Sequence, residues 1–143
     1  MKKMWLIALA VVGLAAVLPL LGHWARPIPP DRCRLDGLAI EPLYRVRIED
    51  AMGNNFAFCS IPCAQLWLKR QKQPPRAIFV VDEATGREID ASTAVFVRSS
   101  VVTGSSTPNR IHVFAAREDA ERHAYRARGR VLSDSERPFV NAH

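Results

Sequence analysis

The chain has 143 residues, of which 48% are hydrophobic and 24% are charged, and this composition is that of a globular protein. The length fits one ordinary domain and excludes several large ones. A formal net charge of +6 raises the question of nucleic-acid binding. The basic residues are dispersed and form no stripe with interleaved aromatic residues, so we predict no nucleic-acid partner.

An apolar run at the N-terminus predicts a membrane segment. Lys2 and Lys3 precede the apolar residues 4–22, and the next charged residue is Arg26. The run is close to the ~20 residues that a helix needs to cross a bilayer. A cleaved signal peptide is the alternative. The small residues required before a cleavage site are poorly spaced, so we favour an uncleaved signal anchor over residues 1–25.

The charges that flank the apolar run bear on the orientation of this helix. Basic residues flank it on both sides, which makes the positive-inside count ambiguous. A short basic N-terminus before a first helix usually stays cytoplasmic. We therefore expect a single-pass protein of the cell inner membrane whose C-terminal domain faces the periplasm. Residues 26–32 include three prolines and are predicted to form an extended Pro-rich spacer.

The remainder, residues 33–143, is predicted to be an α+β domain of two tandem strand-strand-helix-strand units, with halves at about 33–90 and 91–143. In the first half, alternating apolar and polar residues indicate strands, and Ser60 followed by Pro62 indicates the start of a helix. The predicted elements of this half are strands at 43–48, 56–58 and 77–81 and a helix from Ser60 to about residue 72.

The second half repeats this order of elements. Residues 58–64 align with residues 114–120, with Phe and Ala matched at the two ends, which favours an internal duplication. The predicted elements of this half are strands at 94–97, 110–114 and 131–132, a loop at 103–109, and a helix at 117–128 that Gly129 ends.

All three cysteines lie in the first half, and their positions predict a metal site. Cys33 precedes the predicted hairpin, whereas Cys59 and Cys63 come after it at the start of the helix. Because both ends of a hairpin can converge on one ion, the three thiols are candidate ligands. Asp36 stands where the second cysteine of a zinc knuckle would be. With Asp36 the site suits zinc(II), and three thiolates without it suit trigonal copper(I).

Other interpretations of these cysteines stay open. Cys59 and Cys63 could form a disulfide in an oxidising compartment, with Cys33 left over. The thiols could be buried small hydrophobic groups, or a bound metal could be purely structural. Cys59 and Cys63 could also be a redox pair, although thioredoxin-like motifs have two residues between the cysteines and this one has three.

The remaining polar residues give weaker signals. His112 lies in a predicted strand and His123 near the apolar face of the predicted second helix. A lone histidine in such a place is more often packed than bound to metal, so we assign neither a role. The sequence contains no Ser-His-Asp order, no Gly-rich phosphate loop and no helix with paired His ligands. We therefore predict that the chain is not an enzyme.

The cysteine pattern resembles the TRASH/YHS group of metal-binding motifs, in which one cysteine is followed after a gap by Cys-x3-Cys. Over about residues 33–132 the chain as a whole resembles the NosL family, copper-binding accessory proteins of nitrous oxide reductase. The matching segments are Ile78-Phe-Val-Val-Asp82, Thr85-Gly86, Ile89-Asp-Ala91, Ala94-Val-Phe-Val97, Thr107-Pro108, Val113-Phe114, Asp119-Ala120 and Gly129-Arg-Val-Leu132.

Two departures from this family affect the expected ligands. The family's Cys-x-Met motif is replaced by Cys33-Arg34-Leu35, and Asn109 stands after Pro108 where the family often has Met. Two thioether ligands of the usual copper(I) site are thus absent, and Cys59 and Cys63 could replace them.

The sequence and the resemblance together predict a membrane-anchored periplasmic metal-binding accessory protein that delivers or holds copper during metalloenzyme assembly. Copper(I) is the expected cargo, with zinc as the alternative. The expected partners are the membrane and a periplasmic or membrane metalloenzyme or assembly protein. An interaction module with a structural zinc site, and a thiol-redox protein, are the alternative functions. The predicted metal ligands are Cys33, Cys59, Cys63 and Asp36.

Overall fold

The computed structural model describes residues 29–103 and 108–140. The predicted membrane anchor lies outside these ranges, and no helix within them is long and apolar enough to cross a membrane. The described elements confirm the α+β class. In chain order they are β1 (Val46–Glu49), β2 (Asn55–Phe58), α1 (Ile61–Leu68), β3 (Ala77–Val81), β4 (Glu88–Asp90), β5 (Val95–Thr103), β6 (Asn109–Phe114), α2 (Arg117–Arg126) and β7 (Arg130–Val131).

The strands form two antiparallel sheets. In the first sheet β1 lies between β2 and β3, and β4 extends the sheet beyond β3. In the second sheet β5 lies between β6 and β7. The second half has the predicted strand-strand-helix-strand order, and the first half has it with β4 added; in each sheet the first strand of the half pairs on both sides. Phe58 and Phe114, which the sequence aligns, each end the second strand of their half.

The first sheet differs from the prediction at two of its strands. β1 begins at Val46 rather than residue 43, because Pro42–Tyr44 form a single 3-10 turn with Pro in its first positions. The short strand β4 was missed, since only one of its three residues is apolar. It pairs with β3, and Glu88 forms an ion pair with Arg47 on β1 at 2.6 Å.

Two further boundaries also differ. α1 ends at Leu68 rather than about residue 72, because Arg70 and Gln71 donate to carbonyls three residues back and tighten the chain. β5 continues to Thr103, well past the predicted residue 97, since its far end pairs again with Asn109 of β6.

The end of α2 is formed differently from the prediction. Arg128, and not Gly129, has the left-handed backbone conformation, with φ of 48°. The N–H of Gly129 donates to the carbonyl of Ala124 at 2.8 Å and closes a Schellman-type end. Glycine is required at 129 for space, because a Cβ there would lie 2.5 Å from the carbonyl oxygen of Arg98.

Most of the core belongs to one hydrophobic cluster that spans both halves. Trp67 of α1 packs against Phe56 and Phe58, with ring centroids 5.0 and 5.4 Å apart. The three buried cysteines are part of this cluster, so the thiols of the predicted metal site lie in the core. Its fully or nearly buried members include Cys33, Val46, Ile48, Phe58, Cys59, Ile61, Cys63, Ala64, Val80, Phe96 and Val113.

Candidate metal centre

Cys33 is positioned by a tight loop beside strand β2. Its N–H donates to the carbonyl of Leu38 at 2.8 Å, and its carbonyl accepts from the N–H of Gly37 at 2.8 Å. Gly37 has a φ of +73°, which glycine adopts without steric cost. The N–H of Arg34 donates to the carbonyl of Ala57 at 2.8 Å. That hydrogen bond attaches the loop that carries Cys33 to β2.

Cys59 and Cys63 are positioned by the start of helix α1. Cys59 comes directly after β2, and Ser60 is the N-cap residue, as predicted. The Ser60 hydroxyl accepts a hydrogen bond from the N–H of Cys63 at 3.3 Å. This cap fixes the first turn of the helix and directs the Cys63 thiol toward Cys59, with the two Sγ atoms 3.6 Å apart.

All four predicted ligands meet at one place. One potential ligand atom from each of Cys33, Asp36, Cys59 and Cys63 lies within 4.8 Å of the others. The three cysteines are 0%, 6% and 4% exposed in chain order, whereas Asp36 is exposed. The convergence of Cys33 with a pair 26 residues away meets the geometric requirement of the hypothesis; binding itself stays a prediction.

The Asp36 carboxylate spans the gap between the loop and the thiols. Its Oδ1 accepts from the N–H of Leu38 at 3.0 Å, and its Oδ2 lies 3.4 Å from the Cys63 sulfur and 3.8 Å from the Cys59 sulfur. Partial burial acts to raise the pKa of Asp36, but hydrogen bonds from Leu38 and from the three thiols outweigh it and lower that pKa. The carboxylate is thus charged at neutral pH and available as a ligand.

The spacing of these atoms suits a metal ion. A tetrahedral ion with metal–sulfur bonds of about 2.3 Å and a metal–oxygen bond of about 2.1 Å requires sulfur–sulfur separations of about 3.8 Å and sulfur–oxygen separations of about 3.6 Å. The observed 3.6 Å between sulfurs and 3.4 and 3.8 Å to oxygen fall around these values. These three separations, among Cys59, Cys63 and Asp36, suit a tetrahedral ion, and the ligand atom of Cys33 lies within 4.8 Å of the others. Binding would displace the thiol protons.

The cysteines are reduced in the structure. No disulfide joins any of the three, all of which the structure describes. The Cys59 and Cys63 sulfurs are 3.6 Å apart, well beyond the ~2.05 Å of a disulfide bond. The close approach of these two sulfurs is the arrangement expected of neighbouring metal ligands.

The two histidines of the second half pack against each other and not against the thiols. Their rings are 4.2 Å apart, and His123 also contacts Phe114 at 5.2 Å. His112 is 1% exposed; its Nδ1 lies 3.0 Å from Glu83 and its Nε2 lies 3.3 Å from the carbonyl of Val101. These contacts agree with the interpretation that the two histidines are packed residues and not metal ligands. The Glu83 partner was missed, since no local pattern links residues so far apart.

Asn109, which replaces the methionine of the resemblance, has a structural role. It is 4% exposed, and its side chain exchanges hydrogen bonds with the backbone of Ile111 at 2.7 and 3.1 Å. Its amide thus organises the start of β6. The sulfur atoms among the four converging residues all belong to cysteines.

Buried thiols and a carboxylate converging beside a hairpin and a helix N-terminus define a small α+β protein of the metal-binding class. The chain belongs to the NosL family, because residues 30–137 match the sequence profile of that family. This membership confirms the resemblance inferred from the sequence. No curated protein sequence matches the chain.

The fold is also found in a solved structure. The chain is similar to the copper chaperone NosL from Shewanella denitrificans, with a TM-score of 0.62 and 19% sequence identity over 78% of this chain and 93% of that one. At this identity the match establishes the fold. Membership in the NosL family confirms the prediction that the chain is not an enzyme.

Proposed function

We propose that the chain is a membrane-anchored periplasmic accessory protein that holds copper(I) and delivers it during assembly of a metalloenzyme of the nitrous oxide reductase type. The observation that carries this proposal is the convergence of three buried thiols and one carboxylate within 4.8 Å. Thiolates are the preferred protein ligands of copper(I), and three of them complete a trigonal site. Membership in the NosL family and the fold shared with a copper chaperone support the choice of copper.

The proposed location supports the same role. The apolar residues 4–22 would tether the domain to the inner membrane, with the Pro-rich spacer at 26–32 separating it from the bilayer. Tethering raises the local concentration of a carrier near a membrane-associated partner. The partner is a periplasmic or membrane metalloenzyme, or a protein that assembles one.

The proposal is tested by metal analysis of the full chain, purified anaerobically in detergent. We expect one copper(I) ion per chain, retained against a chromophoric copper(I) chelator. Serine replacement of Cys33, Cys59 or Cys63 should weaken binding by at least about tenfold, because each change removes a direct ligand.

The matched control for these variants is Ala64→Ser. Ala64 is fully buried in α1 next to Cys63, so this change adds a hydroxyl to the same region and removes no thiol. It should retain copper. Unchanged occupancy in all three cysteine variants would refute the site, as would a metal-free chain in which Cys59 and Cys63 cycle as a redox disulfide.

A structural zinc site is the second candidate, and the geometry gives it specific support. Asp36 would complete a tetrahedral set of three sulfurs and one oxygen, which is an arrangement that zinc(II) accepts. The two functions differ in how the protein responds to metal removal. A carrier should lose its ion to a chelator with its circular dichroism spectrum unchanged, whereas a domain stabilised by zinc should unfold.

A further inference from the structure

The four members of the metal centre differ in their exposure. Cys33, Cys59 and Cys63 are buried in the main hydrophobic cluster, and Asp36 is exposed. An ion held between them is covered by the protein on its sulfur side. The carboxylate therefore lies on the side from which an incoming donor atom can reach the ion.

Asp36 is also the member whose movement disturbs the fold least. Its Oδ1 accepts from the backbone of Leu38, which is 41% exposed, so rotation of the carboxylate leaves the backbone of the fold in place and opens access to the thiols beneath it. The backbone of Cys33 is hydrogen bonded within its loop, and Cys63 belongs to a capped helical turn. Moving a thiol would disrupt these structures, whereas moving Asp36 breaks only the hydrogen bond to Leu38 and the contacts with the thiols.

The chemistry of the two metals distinguishes the carboxylate from the thiols. Zinc(II) binds carboxylate oxygen well and prefers four ligands, whereas copper(I) is satisfied by three thiolates and binds oxygen poorly. Zinc(II) also cancels one more unit of thiolate charge than copper(I). The negative Asp36 is consequently repelled more strongly when copper(I) occupies the thiols.

We propose that Asp36 is the exchange position of this centre: it binds zinc(II) as a fourth ligand, leaves copper(I) on the thiols alone, and marks the site at which a partner's donor atom attacks the ion. This inference rests on the proposed metal-binding function. According to this inference, Asp36 determines the preference of the centre for zinc(II) or copper(I), and the ion is released on its side of the centre.

The first test compares zinc(II) and copper(I) affinities of the full chain with those of Asp36→Asn. Asparagine keeps the side-chain shape and the acceptor for Leu38 but removes the charge. Zinc(II) affinity should fall by about 10–100-fold, because a ligand is lost. Copper(I) affinity should change by less than about threefold, because oxygen is a poor ligand for it. The tetrahedral visible absorption of bound cobalt(II) should weaken with the zinc(II) affinity.

The matched control is Asp50→Asn. Asp50 lies in the turn between β1 and β2, where its Oδ1 accepts from the N–H groups of Met52 and Asn54 at 2.8 Å each. Like Asp36 it accepts from backbone N–H groups of its own loop, but it is not among the converging ligands. Its variant should bind both metals as the unchanged chain does.

The second test places a fourth thiolate at the exchange position with Asp36→Cys. Transfer of copper(I) to a chromophoric chelator should slow by about tenfold or more, since the open position is now occupied by a soft ligand. Circular dichroism establishes that each variant is folded.

The outcomes separate this inference from the proposed function. A full chain that binds neither metal would overturn both. Metal binding by the full chain, together with an unchanged zinc-to-copper preference in Asp36→Asn and an unchanged transfer rate in Asp36→Cys, would overturn the role of Asp36 alone.

Discussion

Ser60 connects the metal centre to the secondary structure that holds it. Its hydroxyl caps α1, and the N–H that it binds belongs to Cys63. The residue is 1% exposed, so water cannot replace the hydroxyl without rearrangement. The cap therefore stabilises the helix and places a ligand at the same time.

We expect Ser60→Ala to lower the free energy of unfolding by about 0.5–2 kcal/mol, because the N–H of Cys63 loses its acceptor. Copper(I) affinity should fall as well, since the first turn no longer fixes the Cys63 thiol. Urea denaturation of the metal-free chain and chelator competition measure the two effects. Ser60→Thr keeps the hydroxyl and should restore most of both; equal copper affinity in all three proteins would limit Ser60 to a stabilising role.

For individual residues, the sequence predicted the candidate metal ligands better than it predicted the contacts of other buried polar side chains. Thiol chemistry made Cys33, Cys59 and Cys63 candidates, and the motif position did so for Asp36. The structure brings these four together. The contact between Glu83 and His112 was not predictable, because it depends on how the two halves pack and leaves no periodic signal in either segment.

Among the elements, α2 and the strand after it show how a glycine can be required for space rather than for backbone conformation. Gly129 packs against β5, where a Cβ would lie 2.5 Å from the carbonyl of Arg98 and 2.7 Å from the Cβ of Ser99. Arg128, one residue earlier, takes the left-handed conformation that glycine favours.

We therefore expect opposite effects at these two neighbouring positions. Gly129→Ala should destabilise the fold by about 1–3 kcal/mol, because β5 and the helix end must separate. Arg128→Gly should stabilise it by up to about 1 kcal/mol, because the left-handed conformation no longer carries a steric cost. Denaturant midpoints measure both changes. A stabilising Gly129→Ala would show that the chain relaxes freely at this contact.

The order of elements was predictable, but several boundaries were not. The apolar run of β3 was predicted at its observed bounds, since five consecutive residues carry the signal. β4 contains only Ile89 as an apolar residue, and it forms because β3 offers an edge to pair with. α1 ends early because local hydrogen bonds tighten the chain before the prolines are reached. The spacing of apolar residues does not reveal such local hydrogen bonds.

Across the whole molecule, the turn after β3 joins the two sheets. The N–H of Glu83 donates to the carbonyl of Val113, and the Glu83 carboxylate accepts from the N–H of Val113 and contacts His112. Both ring nitrogens of His112 face acceptors, the carboxylate and the carbonyl of Val101, so the ring is best satisfied when doubly protonated. The junction thus contains a buried contact that is an ion pair when His112 is protonated.

This ion pair should make the stability of the fold depend on pH. Burial lowers the pKa of His112, but Glu83 and the Val101 carbonyl outweigh burial and raise that pKa above 6.5. The stabilisation is therefore complete below about pH 6.5 and is lost as pH rises through the folded-state pKa. His123 opposes this trend: burial and the nearby His112 lower its pKa, so its contribution is lost as pH falls.

The variant His123→Phe should separate the two effects, since a phenyl ring preserves the stack on His112. Its free energy of unfolding should fall by at most about 1.4 kcal/mol per pH unit as pH rises from about 6.5 through the folded-state pKa of His112. Adding Glu83→Gln should flatten this dependence. Urea denaturation across that range provides the measurement, and a flat profile in His123→Phe would exclude a charged His112.

The arrangement of sulfur inside and carboxylate outside has a consequence for how a carrier of this design can operate. If Asp36 is the exchange position, as proposed, a protein that loads the ion and a protein that accepts it would both approach the surface around this exposed residue. They cannot occupy it together, so no ternary complex can pass the ion straight through. Transfer of the ion would require two successive complexes, and the donor protein would have to dissociate before the acceptor protein binds.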